Sequence, residues 1–534
     1  MVIDTESTYI SVLFDRAEES PGQLWMQEVD GDELTYAQSR ELACRWADAL
    51  RQLGVGAGDM VATIMENCLD SQHVWLGAAL VRAVEVPLSP LLRGESLVHA
   101  LNDSRCKVIV VAEPFHQQIE EVSERLKHLE RVVVALSSNT TPASSFDIIS
   151  REALMGRAKA AKDFELPKPE DIACVLYTSG TTGPSKGTLI PWAQLNANAA
   201  ATDVTPFGDS EAFYYTGAAN HAGARSQPLL MASVGGRFVM RPAFKTQEFW
   251  ADVDRYGCTF TIMVGAMAHF MMSQPPSPKD CDHALKFVLM APVLPNIEAF
   301  NERFGVVTCT GYSMTELSGP ITNPNWKIDI PSSCGKLRAG WPHYDARLVD
   351  EDGRDVPVGT EGELLVRTEA PHTLNAGYLN RPDATAEAWR DGWFHTGDVF
   401  KQDEQGNYYF IDRRKDAIRK SGENVSSFEV EMQIAAHEQV AECAAIAVPA
   451  DNVEDEIKVF LVPAPDCQVD PEAIVKFAAR TMPRYMVPRY IEVVDELPKT
   501  PTLRVQKAEL RKRPRTNEWD RVAAGIDIKR IEGS

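Results

Sequence analysis

Apolar residues recur at helical spacing between Thr35 and Gly54, where Leu42, Trp46, Leu50 and Leu53 share one face. Thr35 to Gln38 (TYAQ) has the make-up of a capping box, whose two side chains satisfy backbone N–H groups that the helix leaves open, and Gly54 supplies a stop. Short apolar runs at 60–65, 107–111 and 131–136 read as strands with helical stretches between them. That alternation predicts an α/β domain with a largely parallel sheet. The texture changes over 341–410, where strand patterns at 346–349, 363–367 and 408–411 are separated by turn formers such as Asp352-Gly353, so a small β-barrel-like subdomain is expected. Beyond Asp412 a shorter α+β unit follows, with helices over 427–437 and 471–481 and strands over 443–448 and 458–462. The charged cluster 413–416 is where such a chain would hinge. The expected division is an N-terminal domain 1–412, a hinge 413–416 and a mobile C-terminal domain 417–534.

Composition narrows the function classes. A chain of 534 residues is too long for one hydrophobic core, and 44% apolar with 24% charged residues is ordinary for a globular enzyme. The net charge of −22 repels phosphate backbones and anionic lipids, which argues against a nucleic-acid partner. The apolar run 73–88 carries Arg82 and Glu85 and is too short to span a bilayer, so no membrane insertion is expected. The first residues, MVIDTESTYI, lack the regions of a signal peptide, and ten scattered cysteines without a CxxC pair read as reduced thiols, placing the protein in the cytoplasm. One basic stretch, 511–515 (RKRPR), runs against the overall charge and reads as a solvated tail.

The segment 177–187, YTSGTTGPSKG, carries the chemistry. It follows the apolar run 172–176, a strand. Gly180, Gly183 and Gly187 let backbone N–H groups turn inward, Thr178, Ser179, Thr181 and Thr182 add hydroxyl donors, and Lys186 adds a positive charge. Such a loop suits a polyphosphate. It departs from the GxxxxGK[ST] pattern, and 188–190 reads as a second strand where that pattern opens a helix. A bland Ser/Thr/Gly surface loop is the competing reading of this segment taken alone.

YTSGTTGPSKG resembles the phosphate loop of the adenylate-forming superfamily, which includes acyl-CoA synthetases, nonribosomal adenylation domains and luciferase. Residues 311–316 (GYSMTE), Gly362-Glu363-Leu364, Gly377-Tyr378, 391–398 (DGWFHTGD) and 412–431 resemble further motifs of that family, in its order. The run KSGENVSSFEVE is most similar to the crotonobetaine/carnitine-CoA ligase-like branch. The resemblance implies an ATP-dependent acid–thiol ligase using ATP, magnesium and coenzyme A, with a small-molecule carboxylic acid as substrate; a homodimer stays open beside a monomer. It implies that Lys186 and its loop close over the β- and γ-phosphates and that Gly311 and Tyr312 pack on adenine. Thr315 then reaches the α-phosphate and Glu316 holds magnesium, while Asp398, Ile411 and Arg413 line the ribose. Lys415 takes the hinge position, and Gly422 leaves room for the pantetheine arm.

At the C-terminus the chain departs from the family's PKTxxGK pattern. Residues 498–507 read PKTPTLRVQK, so Leu503 stands at the usual glycine and Arg504 at the usual catalytic lysine. Three readings compete: Arg504 acts as the catalytic cation, Lys499 or Lys507 substitutes for it, or adenylation is impaired. An adenylate-forming enzyme with a nitrogen acceptor, or a nucleotide-binding protein without turnover, are the alternatives to the ligase. Candidate walls for the acid are Asn220-His221, Val264-Gly265, the run 290–292 with Ala291 and Pro292, and 318–320. His221 is read either as a gate to that pocket or as a hydrogen-bonded core residue.

Overall fold

The computed structural model describes residues 7–135, 145–178, 185–202, 207–294, 296–413, 418–420, 423–449, 455–500, 505–526 and 528. The chain is a mixed α/β protein. It packs as two compact units, one built from residues up to 345 together with 366–394, the other from 346–365 together with 395 onwards.

In the first unit, the capping box at Thr35 forms as read: its hydroxyl accepts from the Gln38 N–H at 3.3 Å and the Gln38 amide oxygen accepts from the Thr35 N–H at 2.8 Å. The helix runs Tyr36–Gln52 and buries Trp46 and Leu50. Two seven-stranded sheets form the body of this unit. The first runs Asp147–Ser150, Arg131–Ala135, Val108–Ala112, Met60–Ile64, Val84–Leu88, Ile172–Thr178, Lys186–Pro191; only its last pair is antiparallel. The second runs Val307–Cys309, Phe287–Met290, Phe260–Met263, Ala212–Tyr215, Arg237–Met240, Leu24–Glu28, Glu33–Thr35, again parallel except for its last pair. The valine-rich strands are buried on both faces, as parallel strands between helical layers must be.

One buried ion pair joins the two sheets. Glu85, on the strand Val84–Leu88, receives two N–H bonds from the Arg225 guanidinium at 2.8 and 3.1 Å and a third from the Thr63 hydroxyl at 2.8 Å. Arg225 lies on the helix Gly223–Val234 and its guanidinium sits 5.0 Å above the Trp75 ring, which itself stacks on Trp192. Both charged side chains are fully enclosed, so each depends on the other for solvation.

The second unit holds a four-stranded sheet, Val440–Pro449, Asp455–Pro463, Tyr490–Val493, Trp519–Asp520. The helices Ser427–Ala435 and Pro471–Thr481 bury Val430, Ile434, Ile474 and Val475 in one core with that sheet. The 511–515 stretch is exposed, as read, but it is tied to the fold. Arg513 donates to Glu492 at 3.0 Å, and Arg515 pairs with Glu518 at 2.9 Å while its guanidinium lies 4.3 Å from the Tyr490 ring centre. Glu492 and Glu518 also enclose the buried Lys458 at 2.7 and 2.9 Å, so the basic residues complete a charge network that composition alone could not reveal. Among the described residues no helix is long and apolar enough to cross a membrane, and all ten cysteines are free.

Glu85→Ala strands a buried guanidinium and is expected to cost about 3–5 kcal/mol in urea unfolding. Pairing it with Arg225→Met should recover most of that loss; an unchanged midpoint in the single variant would contradict the role given to this pair.

Candidate active site

The phosphate-loop candidate is the tip of a β-hairpin. Strands Ile172–Thr178 and Lys186–Pro191 pair antiparallel with Thr178 opposite Lys186 and Tyr177 opposite Gly187, and the Thr178 hydroxyl donates to the Lys186 carbonyl at 3.4 Å. This is the strand–loop–strand order read from the sequence. The flanks of the hairpin are tied to the helix Gly94–Ser104: the Tyr177 hydroxyl donates to Asp103 at 2.8 Å, and the His99 ring meets the Ser185 carbonyl at 2.8 Å.

The outer edge of this hairpin carries one more chain segment. Residues 376–379 run along it through Ala376 N–H to Leu189 O (3.0 Å), Leu189 N–H to Gly377 O (2.9 Å) and Leu379 N–H to Gly187 O (2.8 Å). Gly377 has φ +105°, and a Cβ there would lie 2.6 Å from a Thr385 carbon, so the position admits only glycine. The register puts Tyr378 opposite Thr188. Its ring faces the Lys186 ammonium at 4.4 Å from the centroid, and its hydroxyl donates to Glu316 Oε1 at 2.9 Å. Burial first, and then the Glu316 carboxylate, push the Tyr378 phenol well above its ordinary pKa, so it stays a donor.

Glu316 is buried in the turn that follows the strand Gly311–Tyr312. That strand pairs with Ile321–Thr322, and a Cβ on Gly311 would lie 2.7 Å from the Ile321 carbonyl oxygen. The turn is held from both sides. Gln194 donates to the Thr315 carbonyl at 2.9 Å, and the Asn375 amide donates to the Glu316 carbonyl at 3.1 Å. Tyr312 is buried close by in sequence, its hydroxyl 3.6 Å from the Met314 sulfur. Lys186, Glu316 and Tyr378 therefore converge, although Tyr378 lies 62 residues from Glu316 in sequence.

The acid-wall candidates share a different logic. His221 follows the strand Ala212–Tyr215, Gly265 follows Phe260–Met263, and Ala291 and Pro292 follow Phe287–Met290. All sit at carboxyl ends of neighbouring parallel strands. After Ala212–Tyr215 the chain crosses to Arg237–Met240 on one side, whereas after Phe260–Met263 it moves to Phe287–Met290 on the other. That reversal is a topological switch point, where open α/β sheets form crevices. Gly265 and Pro292 are brought together, since a Cβ on Gly265 would lie 3.0 Å from the Pro292 carbonyl oxygen. His221 is exposed, which overturns the core reading. Enough protein nevertheless surrounds it for desolvation to lower its pKa to about 4, the combination expected of a ring set in a recess.

In the second unit Asp398 and Arg413 are cross-strand partners, with Arg413 Nε 3.6 Å from Asp398 Oδ1, an ionic contact longer than a hydrogen bond. Glu363 braces the strand Trp393–Gln402 just before Asp398 by accepting from the Gly397 N–H at 3.1 Å. The Ile411 carbonyl accepts from the Ser426 hydroxyl at 2.5 Å. Lys507 is already committed: its ammonium meets Glu431 at 2.7 Å and the Ser427 hydroxyl at 2.5 Å, and Ser427 in turn donates to Asp412 at 2.7 Å. Lys499 pairs with Glu442 at 2.6 Å. Neither lysine is held as an idle substitute for the expected catalytic one. Ser179, Gly180, Thr181, Thr182, Gly183, Lys415, Gly422, Leu503 and Arg504 lie outside the described residues.

Sequence comparison places this geometry among known proteins. The sequence model of the AMP-binding enzyme family matches residues 13–379, and that of the AMP-binding enzyme C-terminal domain matches 429–503. The chain is 33% identical over 478 residues to the crotonobetaine/carnitine–CoA ligase of Escherichia coli O157:H7, spanning 87% of this chain and 90% of that protein. It is 30% identical over 495 residues to the enzyme of the same name from Salmonella arizonae, spanning 90% and 93%. Its fold is similar to that of an anthranilate CoA ligase solved in complex with anthranoyl-AMP (TM-score 0.85, 24% identity, 98% and 99% of the two chains). It is also similar to that of o-succinylbenzoate CoA synthetase from Bacillus subtilis solved with its acyl-adenylate intermediate (TM-score 0.82, 22% identity, 97% and 100%).

Because desolvation by the surrounding protein disfavours the imidazolium even though part of the ring is exposed, folding should lose stability as pH falls below the ordinary 6.5 towards the His221 value of about 4. The His221 ring protons should therefore titrate below pH 5 in NMR spectra; a midpoint near 6.5 would contradict the recessed placement.

Proposed function

The chain belongs to the AMP-binding enzyme family and is an AMP-forming acyl-CoA synthetase, and on that premise we propose how its residues divide the work. A carboxylate oxygen of the acid attacks the α-phosphorus of ATP and pyrophosphate leaves, giving an acyl-adenylate. The thiol of coenzyme A then attacks the acyl carbon and AMP leaves. The first step asks the protein for alignment and charge stabilisation more than for covalent help.

Lys186 attends the β- and γ-phosphates together with Thr178 and the loop residues Ser179, Gly180, Thr181, Thr182 and Gly183. Thr315 meets the α-phosphate, and Gly311 and Tyr312 form the adenine surface, the tyrosine through its flat ring. Asp398 accepts from the ribose hydroxyls, with Arg413 and Ile411 beside it. Gly422 borders the path of the pantetheine arm, and Lys415 marks the hinge. The acid's chain lies against His221, Gly265, Ala291 and Pro292, at the switch point of the second sheet.

Magnesium fits Glu316 in a specific way. The carboxylate is buried and oriented by a phenol at 2.9 Å, while among the described residues no cluster of three or more His, Cys, Asp or Glu offers a complete metal cage. A hard cation that keeps phosphate oxygens and waters as most of its ligands suits one such carboxylate. When bound it neutralises charge on the departing pyrophosphate. The observation that carries the reading is the convergence of Lys186 and Glu316 on Tyr378, which sets a cation and an anion at the base of a glycine- and hydroxyl-rich hairpin.

The reading is tested by incubating the protein with ATP, magnesium, coenzyme A and a panel of carboxylic acids. Crotonobetaine and carnitine, the acids named for the relatives, head that panel. AMP and acyl-CoA should appear in equal amounts by mass spectrometry. AMP without thioester would contradict the thiol acceptor, and no AMP with any acid would contradict adenylation. With Lys499 and Lys507 each paired to a carboxylate, the adenylation step is assigned to Arg504, which stands at the position of the family's catalytic lysine. Arg504→Ala should lower adenylate formation about 10²–10³-fold and spare thioester formation from supplied adenylate. Unchanged adenylate formation would remove Arg504 from the reaction.

A further inference from the structure

A lysine and a glutamate that face one nucleotide site pose a problem before the nucleotide arrives. Opposite charges in a sheltered site attract strongly, and a direct pair would neutralise the groups that should meet phosphate and metal. The side chain of Tyr378 is in contact with both. Its face receives the Lys186 ammonium 4.4 Å from the centroid, and its hydroxyl donates to Glu316 Oε1 at 2.9 Å.

The backbone that carries the ring is fixed on both sides. The backbone on either side of Tyr378 is bonded to the hairpin through Gly377 O and Leu379 N–H, at 2.9 and 2.8 Å. The Tyr378 N–H donates to the Thr385 hydroxyl at 2.9 Å, and Gly377 N–H donates to Asn375 Oδ1 at 2.9 Å. That same Asn375 side chain holds the Glu316 carbonyl. The tyrosine and the carboxylate are thus parts of one locked turn, while Lys186 sits at the start of the strand next to it.

We infer that Tyr378 is a spacer and positioning residue that keeps Lys186 and Glu316 from pairing with each other and aims each at its part of the magnesium–nucleotide. The inference rests on the nucleotide assignment made above. A phenol suits both neighbours. The π-face takes an ammonium without removing its charge, and one donated hydrogen uses one of about four acceptor sites of a carboxylate. The two contacts reinforce one another, because a phenol donating to an anion has a more electron-rich face.

Binding of ATP by titration calorimetry, in EDTA and with magnesium, separates this role from a merely structural one. Tyr378→Leu removes the spacer and lets Lys186 collapse onto Glu316, so ATP affinity in EDTA should fall about tenfold. Adding Glu316→Gln to Tyr378→Leu should restore most of that affinity, since the amide no longer captures the lysine; a misfolded variant would not be rescued this way. Tyr378→Phe keeps the ring but drops the hydroxyl. It should bind ATP in EDTA within about twofold of the unmodified protein while losing part of the gain that magnesium gives. Unaltered EDTA affinity in Tyr378→Leu, or failure of Glu316→Gln to rescue it, would overturn the spacer. Absence of ATP binding to the unmodified protein would overturn the nucleotide assignment and the spacer with it.

Discussion

Three backbone hydrogen bonds between residues 376–379 and 187–189 are the constraint on which the candidate site of the first unit depends. What the described residues show is how the base of the glycine-rich loop is fixed. Here the base is an antiparallel pair whose outer edge is occupied by a third segment, and that segment delivers an aromatic ring that touches both charged groups. The register is exacting. A slip by one residue along a strand turns each side chain to the opposite face and would remove Tyr378 from Lys186 and Glu316 together. Gly377, with its positive φ and no room for a Cβ, makes the register possible.

The second sheet contributes through topology. Parallel strands leave loops at one edge, and reversal of the strand order separates neighbouring loops into a crevice. His221 on one side and Gly265 with Pro292 on the other follow from that rule without any special sequence motif. Desolvation keeps the His221 imidazole neutral at neutral pH, so on the assignment proposed above it would meet the acid's chain without a positive charge. The Arg225–Glu85 pair holds the helix following His221 to the first sheet, which relates the two seven-stranded layers of this unit to each other.

Local signals were legible wherever chemistry and sequence are neighbours. The capping box at Thr35, the strand–loop–strand order around Lys186 and the helix Pro471–Thr481 needed only nearby residues. Contacts between distant residues were hidden. Nothing in the pattern of Gly377-Tyr378 announces that the phenol meets a carboxylate 62 residues earlier, because pairing across strands is set by register. The basic run 511–515 is exposed, as its composition suggests, but the partners that tie it down, Glu492 and Tyr490 among them, lie on a strand that its own sequence does not reveal. Lys507 looked available as a catalytic cation until Glu431, on the helix Ser427–Ala435, was seen to hold it. Arg504 and most of the phosphate loop lie outside the described residues, so their assignments rest on motif and chemistry.

The central claim is that an oxygen of the acid attacks the α-phosphorus of ATP. It is tested most directly by following that oxygen. With an ¹⁸O-labelled carboxylate, turnover in the presence of coenzyme A should leave one labelled oxygen in each AMP released. Label in inorganic phosphate or pyrophosphate, or AMP without label, would contradict the account.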